Sequence, residues 1–170
     1  MKRSTVQKLG FIAALGLVAS ASIHDASAQG LLATHRVSAA LANEAVGAAV
    51  AACAEKGYFV TAVLVDIDGV AQAMLRGDNA GIHTTEAARD KAYTSVSTKV
   101  DLSVLADRFK TTPPPSVLVK VPHLVLSPGA LVIKVGDEVV GALGVSGAPG
   151  GEKDEACAHA GLDKIADRMK

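Results

Sequence analysis

The segment spanning residues 139–162 constrains the fold most, because its character changes twice within a short stretch. Its sequence, VVGALGVSGAPGGEKDEACAHAGL, starts as an apolar run with β-branched residues, breaks into a glycine-rich turn and continues as an alanine-rich stretch. The first part is typical of a buried strand and the last part of a helix. The segment therefore predicts a strand, a tight turn and a helix in succession.

The turn in this segment is a candidate anion site. Its glycines allow close approach of backbone or ligand, and the N–H groups at the start of a helix favour a carboxylate or a phosphate. Gly144, Ser146 and Gly147 are therefore candidate ligand-binding residues. The alternative is that the turn has no ligand and simply leads into an acid-capped helix. Glu152 and Asp154 fit this interpretation as well as the anion site does. The turn lacks the spacing of a P-loop or a dinucleotide-binding fingerprint.

The N-terminus has the pattern of an export signal. Basic residues precede an apolar segment at positions 9–21, and Ala26-Ser27-Ala28 offers a small-residue cleavage site. The apolar segment is shorter than the roughly 20 residues that span a bilayer. We expect a signal peptide over residues 1–28 and no stable membrane anchor after its cleavage. Residues 29–170 would then form one domain, in the periplasm or outside the cell.

Charge and aromatic content argue against nucleic acid as a partner. Residues 29–170 contain 14 basic and 16 acidic side chains, so the domain attracts a phosphate backbone only weakly. Its four aromatic residues make a poor platform for stacking bases. They are Tyr58, Phe59, Tyr93 and Phe109.

Hydrophobic periodicity predicts the order of the elements. An apolar residue recurs at every fourth position from Val37 to Cys53, which indicates an amphipathic helix over 37–56 that Ser38 or Thr34 caps and Gly57 ends. Two hairpins are expected within 58–75 and 131–145, helices at 84–98, 101–110 and 152–169, and an extended segment at 117–126. Hairpin strands are antiparallel. We predict an α+β fold, with helices covering an antiparallel sheet of about five strands.

Cys53 and Cys157 are the only cysteines, and they fall in different predicted helices. An exported protein can keep a disulfide, but this pairing requires the two helices to be adjacent. The alternative is two small buried side chains in alanine-rich helices. Both interpretations stay open, and neither cysteine has a partner at metal-binding spacing.

Four histidines follow residue 28, and no pair of them has the spacing of a zinc hydrolase. His83 is the first candidate for a metal ligand, because it ends a glycine-rich connection at the start of a helix. Asp90 and Thr94 fall on the same face of that helix. His123 is the alternative ligand. The competing interpretation is that both are ordinary surface histidines.

Two basic residues are candidates for binding the carboxylates of a ligand. Arg76 can do so through two N–H groups and Lys91 as a point charge. Local ion pairs are the competing interpretation, since Asp78 is a natural partner for Arg76. No serine, cysteine or threonine stands in a recognisable nucleophile setting.

Together, these segments resemble the GlcG/HbpS family of haem-binding proteins, which is related to the C-terminal domain of PduO. The resemblance covers about residues 37–169. Its marks are Asp66-x-x-Gly69, Arg76-x-Asp78-x-Ala80-Gly81, His83-Thr84, Lys91-Ala92-Tyr93-Thr94, Gly141-Ala-Leu-Gly-Val-Ser-Gly147 and Asp154-Glu155-x-Cys157-Ala158. One departure is Pro128-Gly129-Ala130-Leu131, where the family commonly has Gly-Gly-x-Pro before the fourth strand.

The resemblance implies a profilin-like fold with packed terminal helices, homo-oligomers, and haem binding outside the cytoplasm. His83 is the expected axial donor, and cationic side chains and the glycine turn would receive the propionates. The scarcity of aromatic residues favours a shallow site completed at a subunit interface. The candidate cofactor-binding residues are His83, Arg76, Asp78, Thr84, Lys91, Thr94, Gly144, Ser146 and Gly147.

Three functions follow from these observations. The first is an exported haem-binding protein that acts in haem sequestration, degradation or redox sensing. The second is an enzyme or auxiliary protein for a small organic acid or a corrinoid, which the anion-ready turn favours. The third is an oligomeric module without a ligand.

Overall fold

Helices and hairpins alternate along the chain, as the periodicity predicts. The structure, a computed structural model, describes Gly30 and residues 32–169, so the expected signal peptide lies outside the described residues. The helices are α1 (Ala39–Ala54), α2 (His83–Thr98), α3 (Leu102–Thr111) and α4 (Gly151–Asp163), with short 3-10 turns at Leu118–Lys120 and Ala166–Arg168. The strands are β1 (Thr61–Asp66), β2 (Ala71–Arg76), β3 (Ala130–Val135) and β4 (Glu138–Ser146).

The four described strands form one antiparallel sheet in the order β2-β1-β4-β3. The predicted α+β class and both hairpins are confirmed. The described sheet has four strands rather than about five, because the segment predicted to be extended, 117–126, forms a 3-10 turn and irregular chain. Pro113, Pro114, Pro115 and Pro122 supply no backbone N–H groups around this segment, which disfavours a paired strand.

The sheet lies between two helical layers. Strand β1 is buried along its whole length. Its Ala62 and Leu64 belong to the core beneath α1 and α4, whereas Val63 and Val65 belong to a second core beneath α2. Burying one side chain such as Leu64 contributes about 2 kcal/mol. This sandwich fixes α2 over β1 and β4 and leaves the opposite face of α2 free for other contacts.

The terminal helices pack together, as the resemblance implies. Cys53 of α1 and Cys157 of α4 form a disulfide, with 5.6 Å between their Cα atoms. Both cysteines are fully buried in the core. The helices are therefore adjacent, and the pairing left open by the sequence is resolved in favour of the disulfide.

The predicted ends of α1 are confirmed. The Ser38 hydroxyl accepts a hydrogen bond from the amide of Leu41 at 3.3 Å. At the other end Gly57 adopts a φ of 76°, and the Tyr58 amide donates to the Cys53 carbonyl at 3.0 Å. This left-handed cap turns the chain directly into the approach to β1. No helix among the described residues combines the length and the apolar character needed to cross a bilayer.

Candidate functional site

The loop between β2 and α2 presents His83 at the protein surface. The exposed imidazole packs over Gly81, where a β-carbon would lie 2.6 Å from the ring carbon Cε1. The hydrogen bonds of this loop involve Arg76, Thr84 and Thr85, and they leave both ring nitrogens of His83 without a partner among the described residues. A neutral imidazole in this setting has a lone pair to offer to a metal or a ligand.

Arg76, at the end of β2, holds the same loop. Its Nε donates to the carbonyl of Ala80 at 2.7 Å, and Nη2 donates to the same oxygen. The expected ion pair between Arg76 and Asp78 is not seen, because the guanidinium is turned toward this carbonyl. Arg76 is exposed, so its remaining N–H groups are available to an anion.

Two threonines anchor the start of α2 to the sheet. The buried Thr84 hydroxyl donates to the Gly81 carbonyl at 2.7 Å and lies 2.7 Å from the Thr61 hydroxyl of β1. Since Thr84 is 1% exposed, it contacts no solvent-borne ligand in this arrangement. Its hydroxyl fixes the position of the neighbouring His83.

Lys91 lies inside the protein rather than on the ligand face of α2. Its ammonium donates to an Asp154 carboxylate oxygen at 2.7 Å and to the Val145 carbonyl at 3.1 Å. The Lys91 and Asp154 side chains are 7% and 4% exposed. Burial raises the pKa of the Asp154 carboxyl, and the hydrogen bonds from Lys91 and from the Ala148 amide oppose that rise. The pair ties α2 to the first turn of α4.

The glycine turn serves packing at the positions described. A β-carbon at Gly144 would lie 2.3 Å from the Ala88 carbonyl oxygen, so this glycine lets α2 approach β4. Gly147 has a φ of 131° and passes close to the Phe59 carbonyl. Ser146 ends β4 opposite Thr61. Of the acids at the start of α4, Glu152 is exposed, whereas Asp154 and Glu155 are turned inward. Asp154 accepts a hydrogen bond from the Ala148 amide, and Glu155 accepts from the amides of Ser103 and Gly129.

His123, the alternative metal ligand, belongs to a second cluster on the outer face of α2. Its Nδ1 lies 3.1 Å from Asp90 Oδ1 and 3.0 Å from an Arg89 nitrogen. A neutral ring can donate to Asp90 or accept from Arg89 through that atom, but not both. The hydrogen bond between Arg89 and Asp90 raises the pKa of the Arg89 guanidinium. Tyr93 meets the His123 ring edge-on at 6.2 Å.

The backbone around His123 is held by Thr94. The buried Thr94 hydroxyl lies within hydrogen-bond distance of the carbonyls of Asp90, at 2.7 Å, and His123, at 3.1 Å, and accepts from the Val125 amide at 2.8 Å. His123 has a φ of 66°, which is uncommon for a residue other than glycine. Thr94 therefore fastens the irregular segment to α2 rather than facing a ligand.

The predicted site residues thus form three groups. Arg76, Asp78 and His83 share the exposed β2–α2 loop, and His123 shares the outer face of α2 with Asp90. Lys91 and Gly144 lie inside the packing between α2 and β4. The sequence indicated Asp90 through helical spacing, but it gave no signal for Arg89 and Tyr93 beside His123, which approaches from a distant loop.

Three cavities in the described part of the chain are small for a large planar cofactor. Those lined by His123, by Asp78 and by His35 have volumes of about 190, 300 and 180 Å³, and His83 lines none of the three. Ligand pockets typically measure about 300 to 1,000 Å³. An exposed imidazole and an exposed guanidinium suit an iron and a propionate, so the residues fit haem at an open surface rather than in a closed pocket.

Comparison with known proteins relates the chain to haem proteins. The family model described as haem degrading protein HbpS-like matches residues 37–163. The crystal structure of HbpS is 32% identical with a TM-score of 0.74, covering 89% of this chain and 97% of that one. A double mutant of Streptomyces reticuli HbpS is 30% identical with a TM-score of 0.73, covering 92% and 97%.

A more distant structure shares the fold. PduOC, solved as a complex with heme, is 22% identical with a TM-score of 0.71, covering 77% of this chain and 96% of that one. No curated protein sequence matches the chain significantly.

Proposed function

Because the chain belongs to the HbpS-like family of haem degrading proteins, we propose that it is an exported protein that binds haem at the β2–α2 loop. His83 would supply a nitrogen ligand to the iron, and Arg76 would receive a propionate. The observation that carries the proposal is the exposed His83 imidazole, which has no hydrogen-bond partner among the described residues. Bound haem would supply a redox-active iron, and the chain would supply its axial donor and a counter-charge.

The loop is suited to hold an axial ligand steadily. The Thr61–Thr84 contact and the bonds from Arg76 to Ala80 fix the backbone on both sides of His83. The imidazole also rests on Gly81, where any side chain would displace it. A preorganised donor loses little freedom when it binds, which favours affinity.

The open surface around His83 supports a site shared between copies of the chain. His83 lines none of the three small cavities described above, so one chain covers little of a haem placed there. Exposed apolar residues near this end of α2 include Ile82 at 75% and Met74 at 46%. We propose that the protein forms homo-oligomers and that a second copy covers the haem.

Export is supported by two features of the chain. The N-terminal pattern of basic residues, apolar segment and Ala26-Ser27-Ala28 is typical of a cleaved signal peptide. The Cys53–Cys157 disulfide persists in an oxidising compartment such as the periplasm or the exterior. Sequencing the N-terminus of the secreted protein would test this part, with Gln29 as the expected first residue.

A hemin titration followed by the Soret absorption tests the binding site. The wild-type protein should shift the band at a defined stoichiometry, and His83→Ala should lose most of the shift. His159→Ala is the matched control, because His159 is an exposed histidine on α4. An unchanged titration in His83→Ala, with loss in His123→Ala instead, would move the axial donor to the alternative histidine.

A second measurement distinguishes haem sequestration, haem degradation and redox sensing. With a reductant and dioxygen present, a stable Soret band indicates sequestration, whereas its loss with release of iron indicates degradation. A reversible spectral change under oxidant and reductant indicates redox sensing. Thermal unfolding with hydroxy acids and cobalamin tests the competing function, since a true ligand raises the melting temperature in a concentration-dependent way.

A further inference from the structure

A cavity of about 300 Å³, which the proposed haem site does not use, lies where the end of α1 meets the β2–α2 loop. Its apolar wall comes from α1 and the approach to β1, two aromatic residues follow the helix, and one carboxylate stands on the loop. These lining residues are Val50, Val60, Tyr58, Phe59 and Asp78.

The position of Asp78 is set by the backbone before it. The Gly77 amide donates to the Val60 carbonyl at 2.9 Å. A β-carbon at Gly77 would lie 2.9 Å from both that oxygen and Val50 Cγ1, so the loop crosses α1 and β1 at close contact. Asn79 then turns the chain away with a φ of 63°. Asp78 is therefore held beside the cavity without an interaction of its own carboxylate.

The residues that line the cavity carry a net negative charge. Asp78 is exposed and forms no ion pair within the described part of the chain. The C-terminal end of α1 adds a partial negative charge from its carbonyl groups. The cavity lining contains no basic residue. Among nearby charged residues, Glu55 and Lys56 follow α1 and are exposed, and the Lys153 ammonium lies against the Tyr58 ring. None of these three residues lines the cavity.

The aromatic residues suit a cation that carries alkyl groups. Phe59 is 53% exposed beside the carboxylate. The Lys153 ammonium lies 5.4 Å from the centroid of the Tyr58 ring, which is within the range of a cation–π contact. Ring faces and apolar walls favour a weakly hydrated alkylammonium over a compact hydrated ion.

We propose that this cavity binds a small organic cation of the alkylammonium class, with Asp78 as its counter-ion and with Tyr58 and Phe59 as cation–π partners. The volume of the cavity, at the lower end for ligand pockets, limits the ligand to a small head group. The proposal assigns Asp78, a candidate cofactor-binding residue from the sequence, to this cavity instead. It is independent of the proposed haem site, because that site uses His83 and Arg76 and the test needs no hemin.

Choline and its neutral carbon isostere, in which carbon replaces the quaternary nitrogen, provide a matched pair of probes. Amide chemical shifts of isotope-labelled protein without hemin would be followed during each titration. Choline should shift the amides of Val60 and Gly77 with millimolar affinity, and the isostere should bind about tenfold more weakly.

Two variants and one control complete the test. Asp78→Asn and Phe59→Leu should each weaken choline binding by about fivefold or more, while Asp137→Asn, in the exposed β3–β4 turn, should leave it unchanged. Equal binding of the two probes, absence of shifts at Val60 and Gly77, or unchanged affinity in Asp78→Asn would each overturn the proposal.

Discussion

Lys91 and Arg76, two residues of the same formal charge, have opposite roles in this molecule. Arg76 faces solvent, whereas the Lys91 ammonium is buried against Asp154 and the Val145 carbonyl. The sequence could not distinguish them, because Lys91 and its partner are 63 positions apart and neither carries a local sign of pairing. Motif position made Lys91 a ligand candidate, and the structure places its ammonium within the packing.

Removing the Lys91 charge should strongly destabilise the fold. Lys91→Met leaves the Asp154 carboxylate buried without its cation, at an expected cost of about 3 to 5 kcal/mol in the free energy of unfolding. Urea denaturation would measure it. Lys110→Met, which breaks the exposed Lys110–Asp107 pair, is the control and should leave the urea midpoint close to that of wild type.

The cost of Lys91→Met should depend on pH with a defined sign. Burial raises the pKa of Asp154 in the folded state, and the hydrogen bond from Lys91 opposes that rise. Without Lys91, the folded state therefore favours the neutral form of Asp154 more than wild type does. The favourable contribution of that neutral form is present at acid pH and is lost as pH rises through the folded-state pKa. The difference between variant and wild type should therefore shrink from about pH 7 toward about pH 4. A difference that grows on acidification would contradict this assignment.

Among the elements, those with a strong local pattern were predicted correctly. Both hairpins and the cap at Gly57 follow from turn residues and periodicity. The strand expected at 117–126 was wrong, although its valines and leucines have high strand propensity. Propensity does not supply a pairing partner. The segment instead forms turn hydrogen bonds of its own and is tied to α2 through Thr94.

The packing of α2 on β4 depends on the absence of a side chain at Gly144. Gly144→Ala would place a methyl group 2.3 Å from the Ala88 carbonyl and should destabilise the fold by about 1 to 3 kcal/mol. Thermal unfolding would measure this. Gly47→Ala is the control, since Gly47 lies within α1 with no atom within 4 Å of the added carbon. That change should stabilise by about 0.5 to 1 kcal/mol, and equal losses in both variants would refute the packing argument.

For the whole molecule, the haem-related family and the α+β architecture were accessible from the sequence, because several motifs and the element order agree. The cysteine pairing was not, since the resemblance implies packed terminal helices but does not show whether Cys53 and Cys157 face each other. The structure answers that question by placing α1 against α4 on one face of the sheet. The shared surface proposed for haem depends on a second copy, which local patterns in one chain do not specify.

Loss of the disulfide should lower stability without changing the fold. The bond closes a loop of 104 positions, for which the chain-entropy model gives about 4 to 5 kcal/mol. The double variant Cys53→Ala and Cys157→Ala should unfold at lower urea, and a reductant should destabilise wild type but not the variant. Identical midpoints for wild type with and without reductant would argue against the bond.

The same bond determines what a single proteolytic cut can do. The irregular segment between α3 and β3 is the natural place for a protease to cleave. One cut there divides the chain into two pieces, each carrying one hairpin and one of the bonded cysteines. The pieces would remain one molecule on a non-reducing gel. The pairing of β1 with β4 would keep the sheet continuous between the two pieces. We therefore expect a protein cut in this segment to keep its fold until the disulfide is reduced.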